Sequence, residues 1–336
     1  VSKQDTKVPV TSDFSGRQQS LFQVFLCNTD KEREDLSNTI ELWDLVPKYS
    51  VSKKTQNDIR KNGMLPIHEH NFVHMKKHFT LKIHPARVVV DGKEKEFYPG
   101  AREEIVEDAL RKIATEDDQL FFDGNRSGVR FTLHNLRKEL KRRGHTLSYT
   151  EVVEALTILK RSNIEISDFK GRVICESNII RDLITVNQKE IREDPSARWY
   201  ADFSILVTEG IKQLQYRQYN YTRIMSYKSQ LSRWINKRLI HNYKQASLTK
   251  QYHIKLSTVA RDSGLLIAKR EKDNRVKFER SLKELKKGNV IMHYEGEEKR
   301  GERNKLLDVV YTIMPHHDFI EEQKAANKRE QKSLEN

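Results

Sequence analysis

The sequence predicts an α+β chain of two tandem winged-helix domains behind a polar N-terminal arm, and three observations predict it. A helix, a short Gly-containing turn and a second helix read between Thr132 and Arg161. The same order of parts returns between Ser229 and Ile313, and each helix pair is followed by two strand-like runs joined by a polar turn. At 336 residues the chain exceeds one ordinary core and suits two domains of about 100 to 150 residues each. The expected divisions are an arm over 1–64, a first winged-helix domain over 65–205, a second over 206–317 and a charged tail over 318–336.

The arm is polar and mixed in charge, with apolar islands at 21–26 and 40–46. From about Phe72 the pattern is strand: Phe79, Leu81 and Ile83 alternate with polar residues, and Val88-Val89-Val90 run into Asp91-Gly92, a two-residue hairpin signal. After Pro99-Gly100, Ile105, Val106, Ala109, Leu110 and Ile113 recur at helical spacing, with Glu103 and Glu104 suited to the first turn. Thr132 caps a helix carrying Leu133, Leu136 and Leu140, which Gly144 ends; Ser148 caps a second carrying Val152, Leu156 and Leu159. The strand-like runs 164–166 and 172–174, joined by Phe169-Lys170-Gly171, are expected as the first wing.

In the second half, Leu231, Trp234, Ile235 and Leu239 mark an amphipathic helix over 229–243, and residues 252–256 alternate as a strand. Ser257 is expected to cap a short helix that Gly264 stops. A long helix over about 274–287 buries Phe278, Leu282 and Leu285, and strands at 290–294 and 306–313 flank a polar loop of wing length over 295–303. The tail beyond Pro315 is helical or frayed.

Lys plus Arg number 62 against 48 Asp plus Glu, a net charge of +14 and a pI near 9.5. That excess favours a polyanionic partner. A membrane is disfavoured, because no apolar run approaches the roughly 20 residues of a spanning helix, which leaves nucleic acid. Two widely separated cysteines, Cys27 and Cys175, build neither a disulfide framework nor a zinc site and suit a reducing cytoplasm.

In a helix-turn-helix the second helix enters the major groove, so its face opposite the apolar stripe carries the chemistry. On the C-terminal helix that face is Val276, Lys277, Arg280, Lys283 and Lys287, aided by Lys299, Arg300 and Arg303 in the wing. On the N-terminal counterpart it is Thr150, Glu151, Glu154, Thr157 and Arg161, and its two carboxylates would repel phosphates. The first domain's cations lie instead on the preceding helix, at Arg137, Lys138, Lys141, Arg142 and Arg143, and in its wing at Lys170 and Arg172. The expected division of labour gives sequence reading to the C-terminal domain and backbone contact plus a protein-contact surface to the N-terminal one.

The phosphate cradle G-x-x-x-x-G-K-[ST] is absent; residues 124–128 lack its Lys and hydroxyl. A rolling-circle nickase pairs two metal-binding histidines with a tyrosine nucleophile. His68-Glu69-His70 has the spacing, but Glu69 stands where the resembling enzymes carry a bulky apolar residue, and Tyr252 with Lys255 reads as a strand. No catalytic residue, metal or cofactor is therefore expected. Tyr216, Tyr219, Tyr221 and Tyr227 are expected to pack between domains rather than stack on bases.

The two-domain order, residues 131–145 (FTLHNLRKELKRRGH), 230–238 (QLSRWINKR) and 261–265 (RDSGL) together resemble bacterial plasmid replication initiators, over about residues 65–315. The resemblance implies a protein that binds repeated origin sites, called iterons, helps melt a neighbouring A·T-rich segment and recruits the host initiator and replicative helicase. It also implies a switch between monomers and homodimers, with the first winged helix as dimer surface. A winged-helix transcriptional repressor is the alternative with the same fold and DNA face.

Overall fold

The computed structural model describes residues 12–61, 63–90, 92–185 and 198–335. The chain opens with helices α1 (Ser12–Gln23) and α2 (Asp30–Asp35), strand β1 (Leu36–Ile40), and helices α3 (Glu41–Leu45) and α4 (Lys53–Arg60). Two hairpins follow, β2 (His68–His74) with β3 (Lys77–His84) and β4 (Ala86–Val90) with β5 (Lys93–Phe97). In the second hairpin Val90 pairs with Lys93, as the Asp91-Gly92 signal predicts; Asp91 itself lies outside the described residues.

The first unit then runs through α5 (Ala101–Ile113), β6 (Leu120–Phe122), β7 (Ser127–Thr132), α6 (Leu133–Arg142), α7 (Tyr149–Arg161), β8 (Asn163–Asp168), β9 (Val173–Asn178), β10 (Ile180–Thr185) and β11 (Arg198–Phe203). Its caps are those expected. Thr132 Oγ1 accepts from the Asn135 amide, Ser148 Oγ accepts from the Glu151 amide while Glu151 returns the bond to Ser148, and Gly144 turns at φ +87°. After α8 (Ile205–Lys212), β12 (Tyr216–Asn220) and α9 (Tyr221–Ser226), the second unit comprises α10 (Gln230–Asn242), β13 (Tyr252–Lys255), α11 (Leu256–Ser263), α12 (Glu271–Lys287), β14 (Ile291–Arg300) and β15 (Leu306–Pro315), and α13 (His317–Glu335) closes the chain.

The two units share one topology. Apart from the β8–β9 insertion and β6, which flanks β7 at the edge of the first sheet, each runs helix, strand, helix, helix, strand, strand, and the last strand lies between the other two: β7, β11, β10 in the first and β13, β15, β14 in the second. This equivalence corrects the expected first wing. The strands matching β14 and β15 are β10 and β11, joined by residues 186–197, which are outside the described residues. The hairpin β8–β9 is instead an insertion after α7, and its β8 pairs with β3 to complete a separate sheet ordered β2-β3-β8-β9. Lys170 and Arg172 therefore sit on that inserted sheet. Alternation within 163–178 revealed a hairpin, but hairpin signals carry no information on which sheet a hairpin joins.

Within the described residues, the segment expected as an arm is part of the core. Phe22, Ile40, Trp43 and Val51 are buried, and β1 pairs antiparallel with β12, Leu36 opposite Asn220 through Ile40 opposite Tyr216. The tail is equally integral: α13 buries Phe319 and Ala326, and Arg329 donates to Asn38 Oδ1 (2.7 Å) and to the Leu21 carbonyl (2.9 Å). Helix α13 thus clasps α1 and β1.

Beneath that clasp lies a buried set of ion pairs. On α5, Glu104 and Asp108 face Arg233 and Lys237 of α10, with Arg233 Nη2 to Glu104 Oε2 at 2.9 Å and Lys237 Nζ to Asp108 Oδ2 at 2.8 Å. Arg111 donates to Asp44 (2.7 and 2.5 Å) and to Asp108 (2.5 Å), and Lys48 Nζ lies 3.7 Å from Glu107. Burial alone would raise the Asp44 carboxyl, but the Arg111 and Lys237 charges outweigh it and hold that carboxyl well below the usual range. Four carboxylates and four cations neutralise one another where water is excluded, and a geometry this specific fixes how the units sit together. Helix α10 is accordingly covered on its charged side as well as its apolar one.

Candidate nucleic-acid interface

Helix α11 ends at Gly264 in the left-handed region (φ +62°), where Ser50 and the His70 ring stand so close that a Cβ would crowd them. Ser257 is not its cap: the Ser257 amide and hydroxyl donate to Asp308 on β15, and Lys255 occupies the cap position. Between α11 and α12, Asn274 braces the turn by accepting from the Ala268 amide (2.9 Å) and donating to the Ala268 carbonyl (3.0 Å). Helix α12 therefore begins at Glu271, one turn earlier than expected.

Phe278, Ser281, Leu282 and Leu285 of α12 are buried, and the Phe278 ring meets Tyr311 of β15 edge-on at 4.7 Å between centroids. This anchors one face and presents the other. Lys272, Val276, Arg280, Lys283 and Lys287 form an exposed stripe at three- and four-residue steps. Among the described residues, Arg280, Lys283, Lys286 and Lys287 have no carboxylate partner. Lys277 differs from the expectation, because its Nζ donates to the Leu265 carbonyl (2.7 Å) and burial lowers its pKa. It secures the turn instead. Lys272 was not among the expected contacts, since a helix starting at Asn274 excludes it; the same periodicity carried one turn back finds it.

The second wing is a hairpin rather than a loose loop. Strand β14 pairs with β15 through Arg300 opposite Leu306, leaving a short tip at residues 301–305. Arg275 of α12 reaches Glu298 of β14 (2.5 Å) and Glu279 on its own helix (3.0 Å), bolting helix to wing. Two of the expected wing cations are spoken for, Lys299 by Glu297 (2.5 Å) and Arg300 by Glu298 (2.5 Å). Arg303 at the tip is exposed without a partner among the described residues, as is Lys305.

The first unit offers less. Ile158 of α7 packs with Ala86 and Val88 of the β4–β5 hairpin, Arg161 donates to the Arg87 carbonyl (2.6 Å), and Glu154 pairs with Arg102 (3.3 Å). The second helix of this unit is thus covered where α12 is open. Arg143, expected to touch DNA, is buried: it bonds Glu139 (2.7 Å), Asp35 (3.3 Å) and the Glu34 carbonyl (2.8 Å) and lies over the Tyr221 ring. Arg137 donates to the Leu147 carbonyl (2.8 Å) and stacks on Tyr149 at 4.0 Å, Arg142 pairs with Glu34, and Arg172 pairs with Asp168 (2.7 Å). Of the first-domain cations expected to meet DNA, those exposed without a carboxylate partner among the described residues are Lys138 and Lys141 on α6 and Lys170 on the inserted sheet. Sequence patterning marks these positions as basic but does not reveal which carboxylates fold against them.

One histidine of the pair is likewise committed. His70 Nε2 lies 2.6 Å from the Arg261 carbonyl, joining β2 to α11, and the Val73 amide donates to Asp262 (3.1 Å) at the same seam. Among the described residues no group of three His, Cys, Asp or Glu side chains is arranged to hold a metal, and no helix is long and apolar enough to cross a membrane. Tyr216, Tyr219, Tyr221 and Tyr227 are buried, as their packing role predicts.

No family model and no curated protein matches the chain. Among solved structures it is similar to domains 2 and 3 of RctB, in a selenomethionine crystal form (TM-score 0.47, 12% identity, 79% of this chain and 99% of that one) and in a second crystal structure (0.46, 9%, 78% and 95%). It is also similar to the Pi initiator protein in complex with iteron DNA (TM-score 0.44, 12% identity, 70% of this chain and 98% of that one). Likenesses this distant carry no functional weight, which falls on the geometry of α12 and its surroundings.

Proposed function

We propose that the chain is a plasmid replication initiator that binds repeated double-stranded sites at an origin, reading sequence through α12 and gripping phosphates with the tip of the β14–β15 hairpin. The observation that carries this reading is the open α12 stripe of Arg280, Lys283 and Lys287, free of carboxylates in a chain whose other arginines are largely paired. A helix of 17 residues anchored by Phe278 and Tyr311 presents that stripe rigidly, as major-groove entry requires. Lys138 and Lys141 supply backbone contact from the first unit.

The protein acts by binding rather than by catalysis, with melting of the origin and delivery of the helicase shared with host replication proteins. Homodimerisation belongs to the open edge of the inserted sheet, where β9 has no outer neighbour among the described residues and Val173 and Ile174 are 53% and 54% exposed. The test is selection of duplexes from a random pool by the full chain, followed by replication of a plasmid carrying the selected site. Direct repeats that support replication only with the protein present are expected. A palindrome bound without replication would assign a repressor instead, and relaxation of supercoiled DNA by protein and Mg²⁺ would assign a nickase.

A further inference from the structure

In a helix-turn-helix the N-terminal half of the second helix meets base edges, and most side chains in that half of α12 are already occupied. Asp273 pairs with Arg270 (2.9 Å), Asn274 braces Ala268, Arg275 holds Glu279 and Glu298, Lys277 holds the Leu265 carbonyl, and Phe278 is buried. Apart from the opening Glu271 and Lys272, this leaves Val276, which is 39% exposed, one turn before Arg280 on the open stripe. A β-branched apolar residue gains nothing from a solvated helix face. Its neighbours on that stripe are cations, so it does not extend a protein-docking patch either.

The major groove displays one apolar group, the C5-methyl of thymine. We infer that Val276 is a specificity-determining residue that packs on a thymine methyl in the bound duplex, beside the base or phosphate that Arg280 engages. This rests on the duplex-reading role of α12 given above. Cytosine methylated at C5 presents the same methyl and would satisfy the same contact.

The experiment uses a duplex selected by the full chain, with each thymine replaced in turn by deoxyuridine, which removes the methyl and leaves every hydrogen-bonding group. One thymine per site is expected to lose about four-fold in affinity on replacement, the effect of about 0.8 kcal/mol for one buried carbon. V276A should bind the thymine and deoxyuridine duplexes equally, and V276I should restore the difference. Leu248→Ala, at another exposed apolar position remote in sequence, should leave the difference intact. If no thymine responds to replacement, or if V276A still discriminates, the inference fails while duplex binding stands. If no duplex is selected at all, the reading role of α12 fails first.

Discussion

The two units of this protein have one topology and opposite fates at their second helices. Helix α12 exposes a cationic stripe, whereas α7 lies under the β4–β5 hairpin with Ile158 sealed against Ala86 and Val88. The units differ both in the outward charge of these helices, carboxylates on α7 and cations on α12, and in what the rest of the chain lays over them. A helix-turn-helix is thus a scaffold, and whether it reads DNA depends on coverage and on which charges are left unpaired.

The largest test of this contrast removes what holds the units as one body. Asp108→Ala takes from the buried Lys237 its nearest carboxylate and leaves Asp44 as the one carboxylate it shares with Arg111, and a loss of about 3–5 kcal/mol in urea unfolding is expected; a change below about 1 kcal/mol would show the junction to be incidental. Arg143 and Arg280 then compare the units directly, since both are arginines in basic runs. Arg143→Ala breaks charged hydrogen bonds at a buried site, with an expected cost of about 1.5–3 kcal/mol in stability and no change in the salt dependence of DNA binding. Arg280→Ala should do the reverse, with unfolding unchanged and affinity for a selected duplex falling by about 1–3 kcal/mol if it meets a base. The smallest effect is expected at Lys283: its replacement by Ala should lower the slope of log affinity against log salt by about one, uniformly across sequences. An equal response to Lys170→Ala on the inserted sheet would give the first unit a larger share of the DNA than its geometry suggests.

Much of this was legible in the residues. Thr132, Gly144, Ser148 and Gly264 punctuate helices where they were expected, because caps and left-handed turns depend on local chemistry. The α12 stripe was legible for the same reason, a period of 3.6 residues around Phe278, Leu282 and Leu285. The first wing was misplaced because β8–β9 and β10–β11 are both hairpins, and only strand order distinguishes them. The N-terminal segment read as an arm because its apolar residues fall in two short islands amid polar and charged ones such as Asp44 and Lys48, and a charged residue reads as exposed until its partner is known.

Composition and periodicity by themselves determined that this protein carries two helix, turn, helix units, a positive net charge and one helix with an exposed cationic face. Tertiary structure alone decided the fate of cations such as Arg142 and Arg143, which meet the Glu34 carboxylate and carbonyl through contacts that spacing along the chain does not specify. The physical reason is range: caps and helical faces are set within a few residues, whereas ion pairing and coverage are set by segments brought together from as far apart as Asn38 and Arg329.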